Sequence, residues 1–304
     1  MESLSTKDFK RMIMESTSII SAKKEYLNYI NVFPVRNSDT GNNLLNTLSN
    51  VNSLDDNVSL KKFLKDLKEV LLKGARGNSG VILSQFYKGM CDYLMTCKHV
   101  GVEEFARSID NGYETAYKSI NKPVDGSMLS VLKGASIGAL SVLEKTENII
   151  DVLLSSFSSA QKYLKDTINK LPVLRDSGVV DAGGLGVVYM LGAWLRSLGV
   201  VPDYDKSFEG LKVKELENLR VENDEYCVNV LMSDVEHLEE LKKLLSSAGN
   251  SVEIGGDNDL LRIHLHTNDY EFAENLCSGF GKIVSFEKDN MRLQYEKSQD
   301  KNNI

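Results

Sequence analysis

Apolar side chains recur every three to four positions through about the first 200 residues, and beyond about residue 225 they alternate in twos. Phe9, Met12, Ile13, Ile19 and Ile20 form the first helical stripe, with Ser5 or Thr6 as its candidate N-cap. The same spacing predicts helices over roughly 24–31, 42–50, 59–73, 79–97, 102–120, 127–146, 150–170 and 182–198. The prolines Pro34, Pro123, Pro172 and Pro202 fall at or just beyond junctions between these runs, where a missing N–H does no harm. Residues 202–224 are charged and weakly periodic, which predicts a linker with at most one short helix. Then Tyr226, Val228, Val230 and Met232 alternate as a strand does, and a helix is predicted from Asp234 to about Ala248. Strands at Ser251–Ile254 and Leu261–His266, a helix at Glu271–Cys277 and a strand at Lys282–Phe286 complete the pattern. That order, β-α-β-β-α-β, is the split βαβ or ferredoxin-like plan. The expected architecture is a two-domain chain, α followed by α/β: a helical domain over 1–201, a linker over 202–224, a small α/β domain over 225–297 and a disordered tail over 298–304.

Composition removes several function classes. The chain has 304 residues, enough for two domains that each bury a core. Its net charge of −7, from 36 basic and 43 acidic residues, argues against nucleic acid or an anionic membrane as the main partner. No apolar run reaches the ~20 residues of a membrane helix. Met1-Glu-Ser-Leu-Ser-Thr6 lacks the basic-then-apolar order of a signal peptide. Cys91, Cys97, Cys227 and Cys277 show no framework spacing, so a reducing, cytoplasmic compartment is expected.

Three polar, glycine-bearing turns each open an apolar helical run. The first, Asn31-Val-Phe-Pro-Val-Arg-Asn-Ser-Asp-Thr-Gly-Asn-Asn43, combines carboxamides, hydroxyls and one carboxylate, the oxygen ligands that a hard cation takes. The second is Lys73-Gly-Ala-Arg-Gly-Asn-Ser-Gly80 and the third Val180-Asp-Ala-Gly-Gly-Leu-Gly186. Each can aim free N–H groups and a helix dipole at an anion. Each also has a plainer reading: the first as an ordinary polar turn, the second with Asn78 or Ser79 as a simple cap, the third with Asp181 as an N-cap. In the second domain, His264 and His266 share one strand face, with Leu261, Ile263 and Leu265 on the other. Cys227 has the matching phase on a neighbouring strand, so the three should meet on the open face of the sheet while Cys277 stays apart on a helix. Cys-His-His is zinc chemistry, one ligand short of a closed structural site. The plainer reading is two solvent-facing histidines and a small buried thiol. His99 and His237 have no partner in view and are read as surface residues.

These runs resemble the ATP-binding domain of dihydroxyacetone kinases and, more closely, the N-terminal domain of bacterial fatty-acid kinases. That family's motifs are Asn-Val-Phe-Pro-Val-Pro-Asp-Gly-Asp-Thr-Gly, Gly-Ala-Arg-Gly-Asn-Ser-Gly, Val-Glu-Gly-Thr and Gly-Val-Val-Asp-Ala-Gly-Gly. The chain matches the second at Gly74–Gly80 and the fourth at Gly178–Gly184 without change, and has Val124-Asp-Gly-Ser127 for the third. The C-terminal third resembles the same kinases' middle domain. The resemblance implies an antiparallel eight-helix barrel with the nucleotide at one end. It implies Mg²⁺ held by Asp39 and Asn37, which are then the catalytic positions, with Asn31 as an outer contact. It implies ATP bound by Thr40, Gly41, Asn42, Asn43, Asn78, Ser79, Gly80, Gly126, Ser127, Asp181, Gly183 and Gly184. It further implies a structural Zn²⁺ on Cys227, His264 and His266.

The implied reaction is phosphoryl transfer from ATP to the carboxylate of a fatty acid presented by a small carrier protein, and a homodimer is expected. A carboxylate is ionised at neutral pH, so no general base is required, and positioning plus charge neutralisation carry the step. The first loop departs from the family: Asn37 stands where it has aspartate, Arg36 where it has proline and Ser38 where it has glycine. The family's C-terminal carrier-docking domain is expected to lie outside this sequence, either because the chain is a natural short form or because it is a piece of a longer one. A nucleotide-binding pseudokinase or regulatory subunit is therefore the rival reading, and a triose-directed dihydroxyacetone (glycerone) kinase the third.

Overall fold

The structure is a computed structural model that describes residues 1–214, 225–291 and 293. Helix α1 (Thr6–Tyr29) begins at a reciprocal cap, in which the Asp8 N–H donates to Ser5 Oγ at 3.3 Å and the Ser5 N–H to Asp8 Oδ2 at 2.9 Å. It runs unbroken where the periodicity suggests two pieces, because Leu27 and Asn28 continue the buried stripe of Phe9, Met12 and Ile13. There follow α2 (Thr40–Leu48), α3 (Leu60–Gly74), α4 (Gly77–Leu94), α5 (Val102–Lys118), α6 (Met128–Leu140), α7 (Ile149–Lys170), α8 (Pro172–Ser177) and α9 (Ala182–Ser197). All but α8 overlap predicted runs; the short α8 starts on Pro172, whose absent N–H suits a first helical position.

Helix α9 is buried on almost every side and packs against α1, α2, α6 and α7, so it forms the axis of the helical unit. Near its end Trp194 meets Phe86, Tyr87 and Phe105 at ring-centroid distances of 6.5, 6.1 and 6.2 Å. Each such aromatic contributes roughly 1.5–3 kcal/mol of burial. Residues 202–214, expected as linker, run along this unit: Phe208 is buried, and Tyr26 Oη donates to its carbonyl at 2.7 Å. The remaining expected linker, 215–224, and the expected tail, 298–304, lie outside the described residues.

The second unit comprises β1 (Tyr226–Ser233), α10 (Leu238–Ala248), β2 (Asn250–Gly256), β3 (Leu260–Thr267), α11 (Tyr270–Ser278) and β4 (Lys282–Asn290). Its sheet has the order β2-β3-β1-β4, and every neighbouring pair is antiparallel. Val228, Val230, Met232, Ile263 and Leu265 face α10 and α11 and close a second core with Leu241, Ala273 and Cys277. Cys277 is thus held away from the histidines, as its helical position implies.

The other sheet face is not open. It packs against α3 and α4, so the polar positions of the alternating pattern are interior. Period-two alternation shows which residues share a face and says nothing of what covers it. Arg262 is fully buried there and wraps the C-terminus of α3, its Nη2 donating to the Lys73 carbonyl at 2.6 Å and its Nε to that of Leu72 at 3.4 Å. Burial, with the Arg76 guanidinium nearby, lowers its pKa to about 9. Arg76 makes a two-point ion pair with Glu287, at 2.7 and 2.6 Å. The Gly77 N–H donates to Asn229 Oδ1 at 3.1 Å. On the opposite side the Ile254 N–H donates to the Ser119 carbonyl at 3.4 Å. Among the described residues, no helix is long and apolar enough to cross a membrane.

Arg262→Ala takes the donor from two helix-terminal carbonyls at once. It is expected to lower unfolding free energy on the order of 1–3 kcal/mol, read from the midpoint of a urea unfolding curve at unchanged slope.

Candidate functional site

The turns before α2, α4, α6 and α9 converge on one cavity of about 420 Å³, whose far wall is the second unit's polar sheet face. That volume is in the range of small-molecule sites. The first turn is organised by two carboxamides. Asn31 Oδ1 accepts the N–H groups of Asp39 and Thr40 at 3.1 and 3.3 Å, and Asn28 Oδ1 those of Gly41 and Asn42 at 2.8 and 3.2 Å. The opening N–H groups of α2 are therefore satisfied within the protein. This overturns the expectation that all three turns aim free N–H groups at an anion. What this turn presents to the cavity is the Asp39 carboxylate, bonded by Asn37 Nδ2 at 2.8 Å. Burial pushes Asp39 up to about 6, against hydrogen bonds from Asn43 and Asn37 and the nearby imidazole of His266. Ser38 holds a φ of 56°, in the left-handed region that favours glycine.

Helices α4 and α6 get no cap from their own N-cap residues, Arg76 and Ser127. The first N–H of each is bonded by a side chain from elsewhere, Gly77 by Asn229 Oδ1 at 3.1 Å and Met128 by the Asp181 carboxylate. Asn78 and Ser79 of α4 line the cavity, and Asn78 Oδ1 and Ser79 Oγ are buried polar atoms without a hydrogen-bond partner among the described residues. Ser127, Met128 and Leu129 bring the start of α6 to the same space. Gly77 has a φ of 58°, and a Cβ there would lie 2.2 Å from Asn43 Nδ2, so only glycine fits this turn. Asp181 caps α9, its Oδ1 accepting the Gly184 N–H at 2.7 Å, and burial raises it to about 7.

Of the expected nucleotide contacts, Thr40, Asn43, Asn78, Ser79, Ser127, Asp181 and Gly183 line the cavity, as do Asn31, Asn37 and Asp39. Gly41, Asn42, Gly80, Gly126 and Gly184 are not among its lining residues. Two of these glycines serve helix packing, since a Cβ on Gly41 would meet the Lys24 carbonyl at 2.3 Å and one on Gly184 would meet Val131 Cγ2 at 2.6 Å. The Asn31 amide is likewise occupied in holding its own turn, with Nδ2 donating to the Phe33 carbonyl at 3.2 Å.

The ligand atoms of Cys227, His264 and His266 lie within 4.8 Å of one another, all three residues are buried, and both histidines line the cavity. Burial and His266 depress the His264 pKa well below the usual histidine range, and burial with Asp39 and Asp289 raises the Cys227 thiol. A neutral imidazole is a ready ligand, and the sulfur–nitrogen donor set suits zinc. The sequence reading missed three interior residues: Asn229, Glu253 and Arg262. Strand phase carried the signal for the first two, since each lies opposite His264 in the sheet register. His99 and His237 are exposed, as expected.

Comparison with known proteins gives two family matches. Residues 34–196 match the DAK2 domain, and residues 223–298 match the FakA-like middle domain of fatty acid kinases. Protein YloV of Bacillus subtilis is 30% identical, over 96% of this chain and 56% of its own length. An uncharacterized protein of Staphylococcus haemolyticus is 31% identical over 94% of this chain and 55% of its own. The chain thus spans about half the length of the curated relatives it matches. The native dihydroxyacetone kinase of C. freundii superposes with a TM-score of 0.50 at 18% identity, over 65% of this chain and 35% of that one, a likeness of fold.

Raised carboxylates set the sign of the pH response. Each favours the fold below its ordinary pKa near 3.8, a contribution lost as pH rises through about 6 for Asp39 and about 7 for Asp181. A divalent cation at Asp39 competes with that proton. Its affinity is therefore expected to fall as pH drops through about 6, and Asp39→Asn to remove this pH dependence, in Mg²⁺ titrations between pH 5 and 8.

Proposed function

The chain belongs to the DAK2 domain family, and from that premise we propose that it is an ATP- and Mg²⁺-dependent phosphotransferase of the fatty-acid kinase type. One observation carries the reading: the N-terminal turns of α4 and α6, with the unpartnered Asn78 and Ser79 side chains, face the same cavity as the Asp39 carboxylate. Helix N-termini attract phosphate oxygens, and a carboxylate attracts the cation that accompanies them. Asp39 and the carboxamide oxygen of Asn37 are the groups that would hold Mg²⁺, and the ion supplies charge neutralisation at the phosphates. The unpartnered Asn78 Oδ1 and Ser79 Oγ fit a ligand with donors and metal-bound waters. On the same premise the helices form the antiparallel eight-helix barrel of dihydroxyacetone kinases, and the second unit follows the split βαβ plan.

The acceptor in this reading is the carboxylate of a fatty acid delivered by a separate carrier, and the product an acyl phosphate. The match of residues 223–298 to a fatty acid kinase middle domain supports that choice over a triose. One feature favours a second reading, a nucleotide-binding regulatory subunit. Asn37 Nδ2 donates to Asp39 Oδ2 at 2.8 Å, so a neutral amide stands beside the only carboxylate of this turn. Both readings include zinc on Cys227, His264 and His266.

Mg·ATP is expected to raise the melting temperature, because a ligand at 100 times its Kd stabilises by about 2.7 kcal/mol. Asp39→Ala should abolish the Mg²⁺-dependent part of that shift, while Asn37→Asp should strengthen it or increase ATP turnover. No shift at millimolar Mg·ATP would remove the nucleotide reading. Metal analysis of protein purified without chelator should find one zinc per chain, lost in the variant carrying His264→Ala with His266→Ala.

A further inference from the structure

We propose that Asn229 is a positioning residue that ties the turn opening α4 to the Cys227–His264–His266 cluster, so that a cation held by the cluster stiffens the turn. The geometry is that of a two-ended relay. Asn229 is 4% exposed. Its Oδ1 accepts the Gly77 N–H at 3.1 Å and lies 3.2 Å from His264 Nδ1. Its Nδ2 points at Cys227 Sγ at 3.7 Å. An amide oxygen has two lone pairs, so it can serve Gly77 and a His264 Nδ1–H together. Cys227 Sγ lies 3.8 Å from the same Nδ1, while Nε2 faces Glu253 Oε2 at 3.9 Å. Asn229 thus touches both the thiol and the ring nitrogen nearest it, and a cation that takes that nitrogen leaves Asn229 Oδ1 to the Gly77 N–H.

The turn has little room to escape this grip. In the sheet register Asn229 stands between His264 and Glu287, and Glu287 holds Arg76, the residue before Gly77. On its other side Gly77 abuts Asn43, whose side chain bonds Asp39. A change in where His264 and Cys227 sit must therefore move Asn229. Asn229 in turn bears on the first N–H of the helix that carries Asn78 and Ser79. The purpose assigned to the turn, facing phosphate, rests on the phosphotransferase reading; the coupling itself does not.

The test reads amide hydrogen exchange of the segment 74–82 in the full chain, zinc-loaded against chelator-stripped, without nucleotide. Zinc is expected to slow exchange at Gly77 by about fivefold or more, the lower end of ordinary coupling between sites. Asn229→Ala should still bind zinc but lose that response, and Asn229→Asp, which keeps an acceptor for both N–H groups, should restore it. The paired His264→Ala and His266→Ala variant should exchange at the metal-free rate whatever the zinc. The proposal is overturned if zinc leaves the wild-type segment unchanged, or if Asn229→Ala responds as the wild type does. Absence of any wild-type response to Mg·ATP would instead count against the phosphotransferase reading, so the two failures are distinguishable.

Discussion

A sheet face that carries arginine, histidine, glutamate and asparagine can leave water only where each finds a partner, and that constraint shapes this molecule. Burying an unpaired charge costs more than any packing gain nearby. Arg262 meets the constraint with two of its three nitrogens at the C-terminus of α3, where orphan carbonyls and the negative end of the helix dipole receive Nε and Nη2, while Nη1 has no partner among the described residues. Asn229 meets the constraint on the Gly77 N–H, and at the exposed edge Glu287 pairs with Arg76. All of these partners lie in or beside the one short turn between α3 and α4. The turn that aims α4 at the cavity is therefore held from outside the helical unit. The second unit is in effect part of the site's frame.

Within that frame the cavity has an anion side and a cation side. The turn before α2 uses its N–H groups on Asn28 and Asn31, so it cannot draw a phosphate; it offers a carboxylate instead. Helices α4 and α6 have only their first N–H bonded by a side chain among the described residues, Gly77 by Asn229 and Met128 by Asp181, and the positive end of each dipole still faces the cavity. Helix α9 is capped by Asp181, which places a negative group where a bare helix end would be positive. Three turns that look alike in composition thus differ in sign, and the difference is made by side chains elsewhere in the chain.

The titratable groups along this wall share a tendency. Asp39 and Asp181 are pushed toward their protonated forms, His264 toward neutral imidazole and Cys227 toward thiol, each chiefly by burial. A cavity of this kind is charge-poor, and its groups incur a desolvation cost whenever they ionise. A bound cation reverses that balance, since it favours the carboxylate and the thiolate that burial alone disfavours. The geometry is therefore disposed to take up a metal and its anionic ligand together rather than either alone.

How much of this was legible in the sequence depends on the range of the interaction. Helical period placed the helices, because a buried stripe repeats locally. Strand phase brought Cys227, His264 and His266 to one face, because alternation is equally local. The free and the satisfied helix N-termini could not be told apart from the motifs: the residue that silences α2 is Asn28, in the preceding helix and 13 positions before Gly41. The glycines of the third motif suggested close approach to a ligand, yet Gly184 answers to Val131 on another helix. Ser38 runs the other way, since its φ of 56° explains why the resembling motif has glycine there. By alternation Arg262 shares the face of His264, but it left no local trace of its partner. Its role exists only because a sheet some 190 residues later in the chain comes to lie on the end of α3, a contact set by tertiary packing and by no pattern within either segment.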